Sequence, residues 1–411
     1  MDATTEAVRE FYELFPYPSG APTLRMGFDA RHLLSLGQLE RPVGGPIRVL
    51  DAGCSRGVGS LACAALQPDV HVLGVDINRV ALEEARGEAL RRGLQNIEFA
   101  EVDLSSLQGL QVPEGGFDVI ISSGVLHHLA DPSEGLRLLK GVLAPHGVLA
   151  MMVYSRSGRR KTLEISHVVD ALVDKSRSLD EQLAEARVIV SAIAGKAEAT
   201  SEWKIATLVD DVEFVDRYLH VQERVYDVPE LFKFAAQGGL SFLRWMDPFA
   251  WMAKADAVGR DLADRAAEMN PMEAARLLDN LGQAPTAMEV YLCHPENSLK
   301  RLPGPAELLN TVFAVHPEIR FHTMQRNVWC ATRIEAVAVE RRSEEPTIVA
   351  PGPLRSLALI LRDQNEPFQG QSMFEILTEE GHSGEAIAGA FLHAIHQEWV
   401  YCPHMAELLL P

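Results

Sequence analysis

The residues best suited to chemistry in this sequence stand in short polar clusters, each of which follows an apolar run. The first cluster lies within VLDAGCSRGVGSL, Val49 to Leu61, where an apolar run leads into a glycine-rich turn. Glycine lets a backbone approach a ligand closely, and a helix that begins after the turn presents unsatisfied N–H donors. The turn therefore predicts a nucleotide-type ligand site. Dinucleotide-binding folds begin in the same way, so the turn alone leaves the ligand open.

Two carboxylates and a pair of histidines follow at later positions. Asp76 ends the second apolar run, at about the 20-residue offset of a carboxylate that accepts both ribose hydroxyls. Asp103 ends the third run, where its side chain can accept from an adenine amino group. The fourth run leads directly into SSGVLHH, Ser122 to His128. Open α/β sheets bind ligands at the carboxyl ends of parallel strands, and each of these clusters occupies such an end.

The elements that must position these residues are buried strands alternating with helices. The near-continuous apolar runs are typical of strands buried on both faces, as in a parallel sheet. Segments between them, such as Arg79 to Arg92, have the partly apolar face of a helix. The alternation predicts a doubly wound α/β domain. The predicted strands are Ile47 to Gly53, His71 to Ile77, Asn96 to Asp103, Phe117 to Gly124, Gly147 to Ser155, Leu240 to Met246 and Ala287 to Cys293.

The rest of the chain predicts an insertion and a second domain. An alanine-rich region at about 160–225 reads as a helical insertion after the fifth strand, and 1–45 precedes the sheet as an N-terminal cap. The turn-rich segment from Pro295 to Pro305 is the predicted boundary between the two domains. Residues 296–411 are expected to form a smaller, mainly helical accessory domain with a strand at Asn327 to Glu340. Its end is slightly similar to a winged helix, and it is a candidate for homodimerisation or substrate docking.

These blocks together resemble the class I S-adenosylmethionine-dependent methyltransferases over about Ile47 to Tyr154. The resemblance implies a Rossmann-like doubly wound seven-stranded sheet with a helical lid insertion. It implies that Asp76 holds the ribose of S-adenosylmethionine and that Asp103 with Leu104 meets the adenine. Around the methionine part it places Asp51, Gly53, Ser55 and Gly57, and the expected cofactor set also includes Cys54, Ile77, Ser123 and Gly124. Ser55 departs from the family, which usually has glycine there.

A looser resemblance to some bacterial methyltransferases extends over His220 to Trp245, preceded by Asp216, and supplies architecture but no substrate. The expected reaction is an in-line displacement onto an oxygen or nitrogen atom of a small-molecule or peptide acceptor. No metal is obligatory for such a transfer. The open alternatives are a protein or tRNA methyltransferase, a non-catalytic cofactor-binding regulatory module, and a nicotinamide-dependent oxidoreductase.

Residues that face the acceptor are harder to assign. His127 and His128 are the catalytic candidates, because a histidine can titrate near neutral pH, but they can equally shape the cofactor pocket. In FYELFPYPS, Phe11 to Ser19, Tyr12 and Tyr17 are candidate lid residues or packing onto the sheet. Tyr154, Trp203 and Tyr218 are candidates to line the lid, against the alternative that they pack between helices.

Composition restricts the class of protein. The formal net charge of −19 disfavours nucleic acid, and the basic residues Arg156, Arg159, Arg160 and Lys161 read as a solvated loop. No apolar run approaches the roughly 18 residues of a membrane span. The start of the chain is not typical of a signal peptide, and the five scattered cysteines favour reduced thiols in a cytoplasmic protein. A late group lacks a known metal-ligand spacing, so we expect packing and surface residues rather than metal ligands: His393, His396, Glu398, Cys402 and His404.

Overall fold

The computed structural model describes residues 3–18, 29–42, 44–196, 198–252, 259–328, 331–341 and 346–403. The chain divides into two compact units. The first unit contains Met1–Gly27 and Pro46–Ser298, and the second contains Phe28–Gly45 and Leu299–Pro411. In the described part of the chain, no helix is long and apolar enough to cross a membrane.

The first unit is built on a sheet whose main path has the order β3-β2-β1-β4-β5-β8-β7. Neighbouring strands from β3 to β5 run parallel, whereas β8 runs antiparallel to both β5 and β7. A short strand, β6, pairs with the end of β5. The strands are β1 Ile47–Ala52, β2 Val70–Asp76, β3 Ile97–Glu101, β4 Phe117–Ser123, β5 Leu143–Ser155, β6 Val225–Tyr226, β7 Ser241–Trp245 and β8 Ala287–Cys293. The seven-stranded α/β sheet expected from the sequence is confirmed.

Helices cover this sheet, and polar caps set where several of them begin. Asn78 caps α4 through its side chain, Asp131 caps α5, and Asp227 forms a capping box with Glu230 at the start of α10. Each cap satisfies a backbone N–H at the end of a helix that follows a strand. The helices outside the insertion are α1 Ala3–Leu14, α3 Val58–Leu66, α4 Arg79–Arg92, α5 Pro132–Val142, α10 Val228–Gln237, α11 Arg260–Ala267 and α12 Pro271–Asn280.

The helical insertion lies between β5 and β6, as expected. It consists of α6 Arg160–Leu172, α7 Leu179–Ala194, α8 Ser201–Ala206 and α9 Asp211–Tyr218. These helices share a small apolar core of their own, which includes Ile165, Phe214 and Phe11 of α1. Since α1 contributes to this core, the N-terminal helix and the insertion pack as one layer of the first unit.

The second unit has its own apolar core, helices and two three-stranded sheets, β10-β11-β12 and β13-β9-β14. The strand expected at Asn327 to Glu340 is present as β11, Ala331–Arg341, but that expectation missed its antiparallel partner, β10. Polar residues alternate along β10, so this strand lacks the near-continuous apolar run from which the other strands were predicted. The elements are α2 Ala30–Leu36, β9 Val312–Val315, β10 Ile319–Val328, β11 Ala331–Arg341, β12 Thr347–Val349, α13 Pro353–Arg362, β13 Phe368–Gln369, α14 Gly370–Glu379, α15 Gly384–His396 and β14 Val400–Tyr401.

One part of the predicted N-terminal cap belongs to the second unit. Residues 28–45 group with 299–411 rather than with the sheet of the first unit. The ring of His32 on α2 lies 4.2 Å from that of His316 and 5.1 Å from that of Tyr401, between centroids. The backbone N–H of Lys300 also donates to the Leu36 carbonyl at 2.8 Å. Long-range contacts of this kind do not show in local sequence pattern.

Candidate active site

The glycine turn, Asp51 to Gly57, joins β1 to α3 at the carboxyl edge of the sheet. Gly53 has φ of 88°, and a Cβ atom there would lie 2.4 Å from Cγ2 of Val125. Both the conformation and the close approach therefore require glycine. Ser55 also adopts a left-handed conformation, with φ of 48°. This conformation explains physically why glycine suits the position at which this chain carries serine.

Asp76 at the end of β2 holds the glycine turn in place. One carboxylate oxygen accepts from the backbone N–H of Ser55 at 2.7 Å, and the other accepts from that of Asn78 at 2.8 Å. Burial raises the pKa of Asp76. Burial also raises the pKa of Asp51 to about 6, although the Ser60 hydroxyl that donates to it acts in the opposite direction. Two buried carboxylates thus flank the turn.

The predicted adenine residues lie beside a cavity of about 260 Å³ at the ends of β2 and β3. Ile77 and Asp103 line it, together with Arg9 from α1. Leu104, in contrast, packs in the main apolar core of the first unit. Of the remaining expected cofactor residues, Cys54 is buried in the turn, Gly57 begins α3, Ser123 ends β4 and Gly124 follows it with φ of 75°.

The segment that follows α1 lies over the glycine turn. The Ser55 hydroxyl donates to the Tyr17 carbonyl at 2.5 Å, and the Arg56 guanidinium donates to the Pro18 carbonyl at 2.9 Å. The side-chain amide of Asn78 donates to the Tyr12 carbonyl at 2.9 Å. The N-terminal segment therefore covers the turn through backbone carbonyls, which the aromatic character of FYELFPYPS did not predict.

The side chain of Tyr12 points to the insertion. Its hydroxyl donates to Oδ1 of Asp216 on α9 at 2.9 Å and lies 3.1 Å from Nε2 of His220. Burial, reinforced by the Asp216 carboxylate, raises the pKa of Tyr12 well above its ordinary value. Tyr12 therefore joins α1 to the insertion in its neutral, hydrogen-bonding form.

The two adjacent histidines have different surroundings. The ring of His127 is fully buried, and neither ring nitrogen has a hydrogen-bond partner among the residues that the structure describes. His128 Nδ1 donates to the Gln222 carbonyl at 2.6 Å, and its ring stacks on that of His220 at 3.9 Å between centroids. Burial lowers the pKa of His128 to about 4 and that of His127 well below its usual range. Both imidazoles are thus neutral at physiological pH.

A buried arginine completes the arrangement. The Arg159 guanidinium carbon lies 3.6 Å from the centre of the Tyr154 ring, and its Nη1 lies 3.3 Å from a carboxylate oxygen of Glu223. Burial raises the pKa of Glu223 to about 7 despite this arginine. The expectation that Arg159 belongs to a solvated loop is therefore wrong, because the chain turns inward between β5 and α6. Arg159 is only 5% exposed.

We refer to this set as the buried polar cluster: Tyr12, His127, His128, Tyr154, Arg159, Asp216, His220 and Glu223. The sequence pattern indicates His127, His128, Tyr12 and Tyr154 but no role for Arg159, His220 or Glu223. Its only signal for the last two was the segment from His220 onwards that resembles other methyltransferases. The cluster combines neutral rings, two carboxylates and one arginine beside the glycine turn.

The other predicted residues lie elsewhere. Tyr218 is buried in the core of the insertion, where its ring contacts that of Phe214, and Trp203 packs against the same core. Tyr17 is half-buried beside the turn. The described residues include no group of His, Cys, Asp or Glu arranged to hold a metal ion.

In the second unit the ring of His393 contacts that of Trp399, and Glu398 forms an ion pair with Arg341. Cys330 and His404 lie outside the described residues.

Comparisons with known proteins agree with this geometry. A family model described as a methyltransferase domain matches residues 45–207. An uncharacterized protein of Synechococcus sp. is 31% identical over 310 residues, which are 71% of this chain and 72% of that protein. A Ubiquinone biosynthesis O-methyltransferase of Albidiferax ferrireducens is 31% identical over 124 residues, 30% of this chain and 47% of that enzyme. The structure of PKMT2 from Rickettsia typhi in complex with AdoHcy has a TM-score of 0.67 at 16% identity, covering 94% of this chain and 78% of that chain.

Proposed function

Because the chain belongs to the class I S-adenosylmethionine-dependent methyltransferases, we propose that it methylates an amine nitrogen of a peptide or protein acceptor. The observation that carries this proposal is the buried polar cluster, in which the ring of His127 lies 4.6 Å from that of Tyr154, between centroids, and its nitrogens have no hydrogen-bond partner among the described residues. A lysine side chain is the commonest amine of this kind in a polypeptide, and we take it as the acceptor.

The residues of the cofactor side fit S-adenosylmethionine. We assign the cavity lined by Ile77 and Asp103 to the adenine, and the Asp76 carboxylate, which accepts from the Ser55 N–H in the glycine turn, to the ribose. When bound, the cofactor supplies a methyl group on a positively charged sulfur that leaves as a neutral thioether. The chain itself must align the acceptor with that methyl group and exclude water.

An amine acceptor needs an environment that attracts a cation and then lets it lose a proton. Tyrosine rings attract cations through their π faces, and buried carboxylates attract them by charge. The buried polar cluster offers Tyr12 with Asp216, together with Tyr154 and Glu223. Arg159 already contacts one face of the Tyr154 ring and one carboxylate oxygen of Glu223. A lysine ammonium that leaves water for this site is therefore drawn toward the carboxylates.

The proton must leave before the nitrogen lone pair can attack. Glu223 has a pKa of about 7, so it is the carboxylate in the cluster that exchanges a proton at neutral pH. We assign it as the proton acceptor. With S-adenosylmethionine bound, the deprotonated nitrogen would receive the methyl group, and the sulfur would keep the electron pair of the carbon–sulfur bond.

His127 is assigned a role in positioning. Its low pKa keeps the imidazole neutral, so one ring nitrogen can accept a hydrogen bond from the acceptor amine. His128 is a weaker catalytic candidate, since its Nδ1 is committed to the Gln222 carbonyl. This assignment keeps one of the two expected catalytic histidines in contact with the acceptor and gives the other a structural role.

The comparisons support a macromolecular acceptor. The solved structure of PKMT2 aligns over 94% of this chain, which includes the second unit, whereas the O-methyltransferase relative aligns over 30% of it. A second unit of this kind gives additional surface for a polypeptide. The net charge of −19 disfavours a tRNA acceptor.

The test is a methyl-transfer assay with S-adenosylmethionine labelled in the methyl group. Lysine-containing peptides, the same peptides with arginine in place of lysine, and a panel of small hydroxy and carboxylic acids serve as acceptors. We expect label in the lysine peptides, with a mass increase at the lysine nitrogen by fragmentation. Label in the small acids alone would contradict the proposal and favour an O-methyltransferase.

Asp76→Ala is the negative control for this assay, because it removes the carboxylate assigned to the ribose and leaves the buried polar cluster intact. It should transfer no label.

A further inference from the structure

A groove of about 500 Å³ lies on the first unit, outside the buried polar cluster. The side chains that matter for its chemistry are Arg156, Arg224, Tyr226, Glu230 and Lys233. We call it the basic groove. Neither the glycine turn nor the buried polar cluster contributes to its lining, so the proposed reaction leaves it without a role.

The basic groove concentrates positive charge on an acidic chain. Arg156 forms an ion pair with Glu230 at 2.7 Å, and Arg224 donates to the Ala130 carbonyl at 2.8 Å. These contacts hold the two guanidinium groups at the groove. Lys233 is exposed and has no ion pair or hydrogen bond within the described part of the chain. Three cations and one carboxylate leave an excess of two positive charges, in a protein whose net charge is −19.

The basic groove and the buried polar cluster share the same backbone segments. Arg156 follows Tyr154 by two positions, and Arg224 follows Glu223 directly. The backbone N–H of Arg224 also donates to the His127 carbonyl at 3.1 Å. Side chains on one side of these segments thus face the proposed acceptor site, while their neighbours line the groove. A polypeptide whose lysine enters the site has residues close to the groove.

We propose that the basic groove binds an acidic segment of the polypeptide substrate, close in sequence to the lysine that is methylated. The inference rests on the proposed function for the position of that lysine. The rings of Tyr226 and Phe234 stack at 5.2 Å and give the groove an apolar surface on which a peptide backbone can pack. Carboxylates of the peptide then pair with Lys233 and with the remaining N–H groups of the two arginines.

The same charges fit a nucleic acid less well. Glu230 lies among the cations and repels phosphates and carboxylates alike, but the overall negative charge opposes a long polyanion more strongly than a short peptide. A short acidic peptide needs only two or three cations and tolerates the nearby carboxylate. The peptide is therefore the occupant that the observed charges favour.

The test measures binding without methyl transfer. A fluorescein-labelled peptide with six glutamates and no lysine, and its counterpart with six glutamines, are titrated with the full chain by fluorescence anisotropy at low salt. We expect the glutamate peptide to bind about tenfold more tightly, and this preference to disappear in Arg224→Glu/Lys233→Glu. Lys233→Glu alone, at an exposed position without a partner among the described residues, should weaken binding of the glutamate peptide a few-fold.

The matched control is Arg91→Glu/Arg260→Glu, which makes the same charge change at exposed positions outside the groove. This control variant should keep the preference for the glutamate peptide over the glutamine peptide. The inference is overturned if Lys233→Glu and the double variant bind the glutamate peptide as the wild type does, or if the control loses as much affinity. A thymidine oligonucleotide or inorganic phosphate that competes better than the glutamate peptide would also overturn it.

This readout separates the two proposals. Charge-selective binding of a peptide without lysine does not depend on the acceptor atom, so it can succeed when lysine peptides remain unlabelled. Conversely, labelled lysine with no charge preference supports the proposed reaction and rejects the groove.

Discussion

The cofactor side of the site is held together largely through backbone atoms, whereas the buried polar cluster is held largely through side chains. Asp76 accepts from two backbone N–H groups, and the N-terminal segment covers the glycine turn with its carbonyls. In the cluster, Tyr12 reaches Asp216, 204 positions away, and Arg159 reaches both Tyr154 and Glu223. One side therefore depends on local chain geometry and the other on distant side chains.

This difference separates two tasks within one site. A turn fixed by backbone hydrogen bonds is suited to a ligand that never changes, because few substitutions alter its donors. A cluster of side chains can be altered residue by residue, so it can be adapted to one acceptor. We therefore expect substitutions on the cofactor side to affect binding of S-adenosylmethionine, and substitutions in the cluster to affect the acceptor or the pH dependence.

The largest effect is expected for Asp76→Ala. The substitution removes the carboxylate that is proposed to hold the ribose and leaves the N–H groups of Ser55 and Asn78 without their acceptor. Hydrogen bonds to charged groups contribute about 1.5–3 kcal/mol each, so the Kd of S-adenosylhomocysteine should rise more than about 100-fold. Isothermal titration calorimetry measures it, and circular dichroism checks the fold.

Asp103→Ala is the control for that measurement, because Asp103 accepts from the backbone N–H of Ser105 at the mouth of the cavity rather than holding the turn. Asp103→Ala should raise the Kd of S-adenosylhomocysteine by about tenfold or less. Unchanged affinity in Asp76→Ala would remove the assignment of the ribose site.

The next effect is a pH dependence from Glu223. Its pKa is raised from 4.5 to about 7 in the folded chain, so between these values the folded state holds a proton that the unfolded state has lost. The stabilisation is complete below about pH 4.5 and is lost as the pH rises to about 7. It amounts to roughly 3 kcal/mol.

Glu223→Gln cannot lose this proton, so its midpoint of thermal unfolding relative to wild type should rise between pH 5 and pH 7. Asp51 also has a raised pKa, of about 6, but both proteins carry it, and the difference between them isolates Glu223. Parallel pH curves for the two proteins would show that Glu223 has an ordinary pKa.

The cofactor side could be predicted from sequence because its signals are local. A strand, a turn with glycine at fixed spacing and a carboxylate at the end of the next strand are all contiguous patterns, and the structure brings Asp76 to the turn as expected. Even the departure at Ser55 pointed to a position with a left-handed conformation. Local patterns of this kind depend on backbone geometry, which few residues determine.

The buried polar cluster could not be predicted in the same way. Arg159 stands in a basic run that is typical of a solvated loop, and only the turn between β5 and α6 buries it. Glu223 has no local partner, since Arg159 lies far away in sequence. That residues 28–45 belong to the second unit could not be predicted for the same reason, because α2 contacts residues near His316 and Tyr401, which are distant in sequence.

A smaller effect is expected for Tyr12→Phe. The hydroxyl that donates to Asp216 is lost, while the Tyr12 carbonyl that accepts from Asn78 is unchanged. Methyl transfer to a lysine peptide should fall about tenfold in kcat/KM, whereas the Kd of S-adenosylhomocysteine should change less than about twofold. Tyr17→Phe is the control, because the turn contacts Tyr17 through its carbonyl. If Tyr12→Phe weakened binding of S-adenosylhomocysteine as much as it lowered kcat/KM, the cofactor side and the buried polar cluster would not be separable.

The smallest effect is expected at Ser55, where the backbone itself can be tested. A left-handed conformation costs an L-residue about 1 kcal/mol, which Ser55→Gly relieves, but this variant also loses the hydroxyl that donates to Tyr17. The two changes nearly cancel. Ser55→Ala loses the hydroxyl and keeps the strain, so its midpoint of thermal unfolding should lie about 2–4 °C below that of Ser55→Gly. Alanine normally stabilises a chain relative to glycine, because glycine has more conformational freedom to lose on folding. A lower midpoint of thermal unfolding for Ser55→Ala than for Ser55→Gly therefore indicates the left-handed backbone of the turn. A higher midpoint for Ser55→Ala would show that Ser55 is not held in that conformation.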